Sequence, residues 1–455
     1  MNNPTIAAVA TPNAPGGIGI IRISGDDAIE IADKIFVAAN NKKLSESKGY
    51  AAHFGSVIYN GEKVDEAVCL VFRAPHSYTG ENTVEINCHG GLYITRQILR
   101  AVIEAGAKPA GPGEFTKRAF LNGKMDLASS ESVMALISAS GKQAADAALN
   151  TLEGNLSKKI NECCNNIIGV CASLAAWVDY PDDDIEEIGN GEMLETFVNT
   201  KAELENIIKR YDCGKAVTGG VDTVIVGKPN VGKSTIMNML TGYERSIVTD
   251  IAGTTRDVVE EKIILGDIIL KIADTAGIHE TENTVENLGV DLAKKRLDRA
   301  ELVLAVFDGS VNLNEDDRKI IEQCKDKKKI ALINKSDLPL NADRKIIESN
   351  FDKVVELSAK TGEGRDALEN AVSEILMTNE FDPSAACLTG ERQRECCVRA
   401  INHLDEAINA LNSGVTLDAV NVCADCAIDS LLELTGEKAS AAVVDEVFSR
   451  FCVGK

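Results

Sequence analysis

One segment of this 455-residue chain has residue types and spacing suited to binding phosphates. Gly227–Ser234 reads GKPNVGKS, which fits the pattern G-x-x-x-x-G-K-[ST], and it follows an apolar run, Thr223–Val226. In such a loop the backbone amides face the phosphates at a helix N-terminus, the lysine reaches the outer phosphates and the serine hydroxyl binds Mg²⁺. The residues expected to contact the nucleotide are Asn230, Val231, Gly232, Lys233, Ser234 and Thr235, with Ser234 as a Mg²⁺ ligand.

Three further segments follow apolar runs and complete a guanine-nucleotide pattern. Asp274–Gly277 places a carboxylate near Mg²⁺ and a glycine amide near the γ-phosphate. In Asn334–Asp337 the Asp337 carboxylate can accept the adjacent N1–H and N2–H₂ donors of guanine, which adenine lacks. Ser358–Lys360 supplies the loop beneath the base. The contacts predicted here are Asp274, Thr275, Ala276, Gly277, Asn334, Lys335, Asp337, Ser358, Ala359 and Lys360.

The loop Thr249–Asp257 lies between the phosphate loop and Asp274, where the first switch of a GTPase is expected. Its predicted nucleotide contacts are Thr249, Asp250, Ile251, Ala252, Gly253, Thr254 and Thr255, with Thr255 as the second Mg²⁺ ligand. Gly277 is followed by Ile278 rather than by the glutamine that orients water in Ras-type enzymes. The candidates for that role are Glu280, Glu282 and Glu286, and a monovalent cation held by Asn230 and the switch loop would replace an arginine finger.

The periodicity of apolar residues divides the chain into four parts. Residues 1–120 mix short strands and helices and predict an α+β domain, whereas residues 121–217 have helical spacing. Residues 218–380 alternate apolar strands with helices, as in a mostly parallel sheet covered on both faces, with a hairpin at Gly266–Asp267. Residues 381–455 are helical and too few for a large core of their own. We therefore expect them to pack on the first helical part, so that the α/β domain is an insertion within a helical domain.

The composition, 44% hydrophobic and 4% aromatic, is that of a globular protein. The formal net charge of −22 disfavours a broad non-specific nucleic-acid surface, although residues 1–120 are neutral, with 12 basic and 12 acidic side chains. Thirteen cysteines without a secretory leader predict reduced thiols, and no apolar run approaches the roughly 18 residues of a membrane span. We expect a cytoplasmic protein.

The ends of the chain carry motifs that point to one family. They are Gly16–Gly25, Tyr78–Glu81, His89–Gly91, Pro112–Lys124 and the terminal Phe451–Lys455, which reads FCVGK. Together with the nucleotide motifs, they resemble the tRNA-modification GTPases called MnmE or TrmE, and the resemblance covers the whole chain. It implies a folate-binding N-terminal domain that dimerises, and a helical domain interrupted by a Ras-like P-loop GTPase domain.

The resemblance also implies a reaction and a partner. In that family the FAD- and NADH-dependent MnmG (GidA) protein completes a heterotetramer. The pair installs an aminomethyl or carboxymethylaminomethyl group on C5 of the wobble uridine of certain tRNAs. The cofactors implied are GTP, Mg²⁺, K⁺ and a 5-formyl- or methylenetetrahydrofolate.

By matching motifs, the resemblance assigns roles to particular residues. Folate contacts fall on Arg22, Glu85, Lys124 and Lys455, and Cys452 lies beside them as a candidate for a chemical role. The K⁺ ligands fall on Asn230, Thr249, Ile251 and Thr254, and the glutamate that positions water falls on Glu286.

Two other classes of GTPase are alternatives. A ribosome-assembly switch would carry a basic RNA-binding module after the GTPase domain, but residues 381–455 have 6 basic and 12 acidic side chains. A dynamin-like membrane GTPase would need a basic or apolar lipid-binding face. The sequence shows neither feature, so we expect no membrane partner. The tRNA partner is what the resemblance to the MnmE/TrmE family implies.

Overall fold

The computed structural model describes residues 3–179, 189–242, 260–273, 297–376, 378 and 381–455. They form two compact units. Unit 1 comprises Met1–Met134, Ser157–Thr200 and Glu395–Lys455, and unit 2 comprises Ala135–Leu156 and Lys201–Arg394. The boundaries expected near residues 120, 217 and 380 stay predictions.

Unit 1 contains a seven-stranded sheet in the order β3-β4-β5-β6-β2-β1-β7. All neighbours are antiparallel except β1 and β7. The strands are β1 (Ile6–Val9), β2 (Ile18–Ser24), β3 (Phe36–Ala38), β4 (Ala51–Tyr59), β5 (Glu62–Phe72), β6 (Thr83–His89) and β7 (Lys108–Pro109). Helices α1 (Ala28–Ile35) and α2 (Leu92–Glu104) contribute to the core with the inward-facing strand residues. The first part of the chain is thus α+β, as predicted.

The opposite face of this sheet is partly apolar and open. Phe54 on β4 lies directly opposite Val68 on β5, and their exposed fractions are 58% and 38%. Val37 on the edge strand β3 is 52% exposed. Alternation along the strands places these residues away from the buried face. This exposed apolar surface of unit 1 is called the open sheet face below.

The helices of the chain fall where the spacing predicts them. After α3 (Glu114–Leu121) come α4 (Leu127–Ser138), α5 (Lys142–Leu152), α6 (Asn155–Asp179) and α7 (Asn190–Thr218). The last three are α12 (Glu391–Asn412), α13 (Leu417–Thr435) and α14 (Ala441–Ser449). In unit 1, α14 packs on α3 through Phe448, whose ring lies 6.2 Å from that of Phe120, and through Leu127 on α4.

Unit 2 is built on a six-stranded sheet in the order β13-β12-β11-β8-β10-β9. The strands are β8 (Val221–Val226), β9 (Glu260–Leu265), β10 (Ile268–Ala273), β11 (Leu302–Asp308), β12 (Lys328–Asn334) and β13 (Lys353–Leu357). Five of them run parallel, and β9 joins β10 in the antiparallel hairpin expected at Gly266–Asp267. The helices between them are α8 (Lys233–Thr241), α9 (Glu315–Gln323), α10 (Arg344–Glu348) and α11 (Arg365–Leu376).

The central strands of this sheet are apolar on both faces. Every residue from Leu302 to Phe307 on β11 is buried, as expected for a parallel sheet covered on both sides. Within the described ranges, no helix combines the length and apolarity needed to cross a membrane.

Candidate functional sites

Three of the predicted nucleotide segments meet at one edge of the unit 2 sheet. Strands β8, β12 and β13 belong to its parallel part, so their carboxyl ends lie on the same side. Gly227–Ser234 follows β8, Asn334–Asp337 begins at the end of β12, and Ser358–Lys360 follows β13. Ligands of open α/β sheets bind outside the carboxyl ends of the strands, so this edge is the candidate nucleotide site.

The loop after β8 has the backbone form that the motif requires. Asn230 and Gly232 both adopt left-handed conformations, with φ of 63° and 99°, and α8 then begins at Lys233. Lys233 Nζ donates to the carbonyls of Gly227 at 2.6 Å and Lys228 at 2.9 Å. Burial lowers the pKa of Lys233. The Lys233 side chain therefore lies across its own loop, beside the N-terminus of α8. Helix N-termini of this kind commonly bind phosphates.

The remaining residues of this loop divide by exposure. Val231 is buried, whereas Asn230, Ser234 and Thr235 are exposed at the loop and at the start of α8. The hydroxyl-bearing residues are thus accessible to a ligand, while the valine anchors the loop in the core.

The side chain of Asn334 connects the loops. Its Nδ2 donates to Val231 O at 2.8 Å, and its Oδ1 accepts from Ala359 N at 3.0 Å. A Cβ on Gly232 would stand 2.3 Å from this Nδ2, so only glycine leaves room there. Asn334 is 3% exposed and thus has a bridging role inside the fold.

Asp337, the residue predicted to select the base, is oriented by the loop after β13. Ser358 Oγ donates to Asp337 Oδ1 at 2.8 Å, and the Asp337 side chain is otherwise exposed. The exposed Lys360 lies on the same loop. A carboxylate held from behind and open in front can accept the two guanine donors, as the sequence predicts.

Asp308 is a residue of this site that sequence reasoning missed. It ends β11, and its Oδ2 lies 2.5 Å from Lys335 Nζ. Although burial raises the pKa of Asp308, hydrogen bonds from Lys335 and Ser310 bring it below its usual value. The pair fixes Lys335, whose φ of 69° is uncommon for a non-glycine residue. The position of an aspartate at a strand end next to β12 was the available signal.

The other nucleotide and cation residues of the prediction lie outside the described residues. They are Thr249, Asp250, Ile251, Ala252, Gly253, Thr254, Thr255, Asp274, Thr275, Ala276, Gly277 and Glu286, together with the alternatives Glu280 and Glu282. Of the predicted K⁺ ligands only Asn230 is described, and of the Mg²⁺ ligands only Ser234.

Unit 1 brings together three of the residues that the resemblance assigns to folate. Arg22 on β2 and Glu85 on β6 are cross-strand neighbours, and their side chains pair at 2.8 Å. The Arg22 guanidinium lies 5.3 Å from the centre of the Tyr78 ring and 5.6 Å from that of Phe115. Burial, and then the charge of Arg22, lower the pKa of Lys455, while Glu85 acts in the opposite direction.

The C-terminal tail reaches this cluster through backbone hydrogen bonds within unit 1. Phe115 N donates to Lys455 O at 3.2 Å, and Gly113 N donates to Cys452 O at 3.3 Å. Gly454 has a φ of 99°, and a Cβ there would stand 2.4 Å from Val9 O. The last residues of the chain are therefore held against the first strand and against α3.

Lys124 and Cys452 have looser positions. Lys124 is exposed, and its Nζ donates to Pro75 O at 3.3 Å, at the base of the loop that carries Tyr78. Cys452 is also exposed. Lys124 thus borders the cluster, while Arg22, Glu85 and Lys455 form it.

The base-selecting role can be tested by Asp337→Asn. The amide still accepts from Ser358 but no longer accepts both guanine donors, so we expect GTP to bind about 10²-fold more weakly, since a hydrogen bond to a charged group contributes up to about 3 kcal/mol. Xanthosine triphosphate, whose C2 oxygen needs a donor, should bind better than it does to the unaltered protein. Competition with a fluorescent nucleotide measures both affinities. Asp326→Asn, at another exposed aspartate of unit 2, is the control, and unchanged GTP affinity in Asp337→Asn would refute the role.

Two solved structures match part of this chain. The G domain of the T. maritima FeoB iron transporter covers 34% of this chain and 96% of its own length at 24% identity, with a TM-score of 0.26. A variant of Aquifex aeolicus Era bound to GDP·AlF₄⁻ covers 40% of this chain and 65% of its own at 27% identity, also with a TM-score of 0.26.

Comparison with protein families and known sequences covers the chain from end to end. The model of the GTP-binding protein TrmE N-terminus matches residues 5–124, and that of the MnmE helical domain matches residues 127–452. The tRNA modification GTPase MnmE of Acetivibrio thermocellus is 42% identical over 456 residues, covering 99% of both chains. Those of Desulforamulus reducens and Carboxydothermus hydrogenoformans are each 39% identical and cover 100% of both chains. The chain therefore belongs to the MnmE (TrmE) family of tRNA modification GTPases.

Proposed function

We propose that this protein hydrolyses GTP in the modification of tRNA wobble uridines, together with an FAD- and NADH-dependent MnmG (GidA) protein. The pair adds an aminomethyl or carboxymethylaminomethyl group to C5 of uridine 34, using a one-carbon unit from methylenetetrahydrofolate. The main support is the similarity to MnmE proteins over the whole chain. This chain also has a candidate guanine-nucleotide site in unit 2 and a charged cluster in unit 1.

The experiment that tests this function is chemical analysis of tRNA. In cells that lack this chain, mass spectrometry of wobble uridine should show loss of the aminomethyl and carboxymethylaminomethyl groups, and the Asp337→Asn protein should not restore them. Restoration by the unaltered protein is the control. Unchanged wobble uridine in the deletion strain would contradict the proposal.

The unit 1 cluster is the proposed folate site. Its donor set suits a reduced folate, since Glu85 can accept from the donor-rich edge of a pterin, while cationic Arg22, Lys124 and Lys455 suit the glutamate tail. The partly exposed Tyr78 ring adds flat apolar surface beside Arg22, whereas the Phe115 ring beside Arg22 is buried. Bound folate would supply the one-carbon unit, and this chain's residues would bind and orient it. Cys452, exposed on the same tail, is the candidate for a direct chemical role.

The folate proposal predicts a specific effect of Gly454→Ala. The added Cβ would overlap Val9 O and strain a φ of 99°, so the tail should leave its place and carry Lys455 away. We expect the affinity for 5-formyltetrahydrofolate, measured by calorimetry, to fall about tenfold or more, with GTP affinity unchanged. Deleting Cys452–Lys455 should abolish folate binding.

A matched control for this experiment is Gly191→Ala. A Cβ at Gly191 would meet no atom within 4 Å, so folate affinity should stay that of the unaltered protein. Equal folate affinities in the unaltered and truncated proteins would mean that the tail has only a structural role.

Homodimerisation is proposed through unit 1. The open sheet face, with Phe54, Val68 and Val37 exposed, offers an apolar surface for a second copy of the chain. Sedimentation of the full chain should then give twice the mass of 48.6 kDa. A strictly monomeric protein would contradict this part of the proposal.

GTP hydrolysis is proposed to use cations in place of an arginine finger. Ser234, Thr255 and Asp274 would serve Mg²⁺, and oxygen atoms of Asn230, Thr249, Ile251 and Thr254 would hold K⁺ between GTPase domains of two subunits. Of these residues, the structure describes Ser234 and Asn230. Both are exposed and offer side-chain oxygen atoms that can bind cations. Glu286 is proposed to position the attacking water.

These roles predict distinct kinetic signatures. Asn230→Ala should remove the stimulation of hydrolysis by K⁺ over Na⁺ and leave nucleotide affinity largely intact.

Glu286→Ala should lower kcat about 10²-fold, within the range for a positioned acid–base group. Glu282→Ala is the control and should have little effect. Equal turnover of the unaltered protein in K⁺ and Na⁺, or a damaging Glu282→Ala with a silent Glu286→Ala, would refute the respective assignment.

A further inference from the structure

The phosphate loop is tied to a second element of unit 2 by a buried ion pair. Lys228, the second residue of the GKPNVGKS segment, places its Nζ 2.7 Å from Asp317 Oδ2 on α9. The side chain of Asp317 is 1% exposed and that of Lys228 is 16% exposed. The charged end of the Lys228 side chain is therefore directed into the fold rather than towards solvent.

Asp317 is itself held in place by its own helix. Asn314 caps α9 by accepting from Asp316 N and Asp317 N, and Asp317 Oδ2 accepts from Asn314 N at 3.0 Å. This reciprocal capping box fixes the carboxylate at the start of the helix. Among the described residues, its other oxygen, Oδ1, has no hydrogen-bond partner. Much of the carboxylate's electrostatic compensation thus comes from Lys228.

Lys228 is constrained at both of its ends. Its side chain is fixed by Asp317, and its main-chain carbonyl accepts from Lys233 Nζ at 2.9 Å. Two residues later the backbone turns left-handed at Asn230, and again at Gly232. The left-handed conformation of Asn230 costs free energy because this residue is not a glycine, so contacts with the rest of the fold must offset that cost, whereas Gly232 adopts its φ without strain.

We infer that Asp317 is a positioning residue for nucleotide binding, which acts through Lys228 to hold the phosphate loop in its binding conformation. A helix cap alone would not require a lysine from the phosphate loop as its partner. The inference rests only on the nucleotide-binding part of the proposed function. It makes no use of folate, tRNA or the partner protein.

Asp317→Asn separates the two roles of the carboxylate. The amide oxygen can still accept from Asn314 N, so the capping box is retained, whereas the negative charge that attracts Lys228 is lost and only a weaker neutral hydrogen bond to Lys228 Nζ can remain. We expect the Kd for GDP, measured with a fluorescent GDP on the folded full-length protein, to rise about tenfold. Because loop amides bind phosphates in the ground state and the transition state alike, KM for GTP should rise while kcat changes less than about threefold.

A control and a second variant make the experiment decisive. Asp316→Asn removes a neighbouring charge on α9 that pairs with exposed Lys319, at 3.1 Å, and should leave Kd within about twofold. Lys228→Met/Asp317→Asn removes both charges at similar volume, which spares the fold an unpaired buried charge. Its Kd should rise about as much as that of Asp317→Asn, since the two residues act as a unit.

The outcomes distinguish this inference from the function beneath it. If the unaltered protein binds no GDP, the nucleotide proposal itself fails. If it binds GDP and the Kd of folded Asp317→Asn stays within twofold, Asp317 is only a helix cap and the inference is overturned. Should Asp317→Asn not fold, the double variant decides by the same criterion. A lowered Tm with unchanged Kd counts against positioning.

Discussion

The nucleotide loops of unit 2 depend on one buried carboxamide, that of Asn334. It donates to the phosphate loop at Val231 O and accepts from Ala359 N in the loop after β13, so one side chain joins the two loops of the candidate nucleotide site. An aspartate could not donate, and a Cβ on Gly232 would lie only 2.3 Å from the Asn334 amide nitrogen. Breaking the bridge would leave two backbone groups without partners, at about 1–3 kcal/mol for each that stays buried. The separate loops thereby form one site.

Two ion pairs hold the loops after β8 and β12 near the Asn334 carboxamide. Asp308 holds Lys335 on the base side, and Asp317 holds Lys228 on the phosphate side. A buried ion pair contributes little net stability, because desolvation offsets most of the Coulomb attraction. Its geometry is nevertheless demanding, since removing one partner leaves an uncompensated charge. Such pairs are suited to holding a loop in one conformation rather than to strengthening the fold.

A different constraint shapes unit 1, where the tail of the chain closes the cluster around Arg22. Phe448 and Phe451 anchor the last helix to the core beside α3, and main-chain hydrogen bonds at Gly113 and Phe115 receive the residues that follow. Gly113 has a φ of 63°, and a Cβ there would overlap Phe448 O at 2.6 Å. Closing so long a loop costs entropy only logarithmically with its length, so a modest apolar anchor suffices. Lys455 can therefore lie close to Arg22 although it is the last residue.

The sequence alone determined the classes of structure and the main nucleotide motifs. Periodicity predicted the buried strands of unit 2, the hairpin at Gly266–Asp267 and the helices of residues 121–217, because these signals are local. The phosphate-loop motif and the motif at Asn334–Asp337, which predicts guanine selection, were also evident, since their chemistry depends on neighbouring residues with fixed spacing. The alignment of Arg22 and Glu85 as folate residues came from resemblance, and their mutual ion pair was not foreseen.

Tertiary structure decided the contacts between distant segments. The bridge from Asn334 to Val231, the pairing of Asp308 with Lys335 and that of Asp317 with Lys228 join residues tens of positions apart. The capping pattern from Asn314 to Asp317 is local, but nothing in it shows that Asp317 is buried and paired with Lys228 while its neighbour Asp316 is exposed. Propensity and spacing report on a few consecutive turns, whereas burial and pairing depend on which strands and helices become neighbours. The packing of the whole sheet determines which strands and helices become neighbours, and it thereby brings Asp317 and Asp308 to their lysine partners.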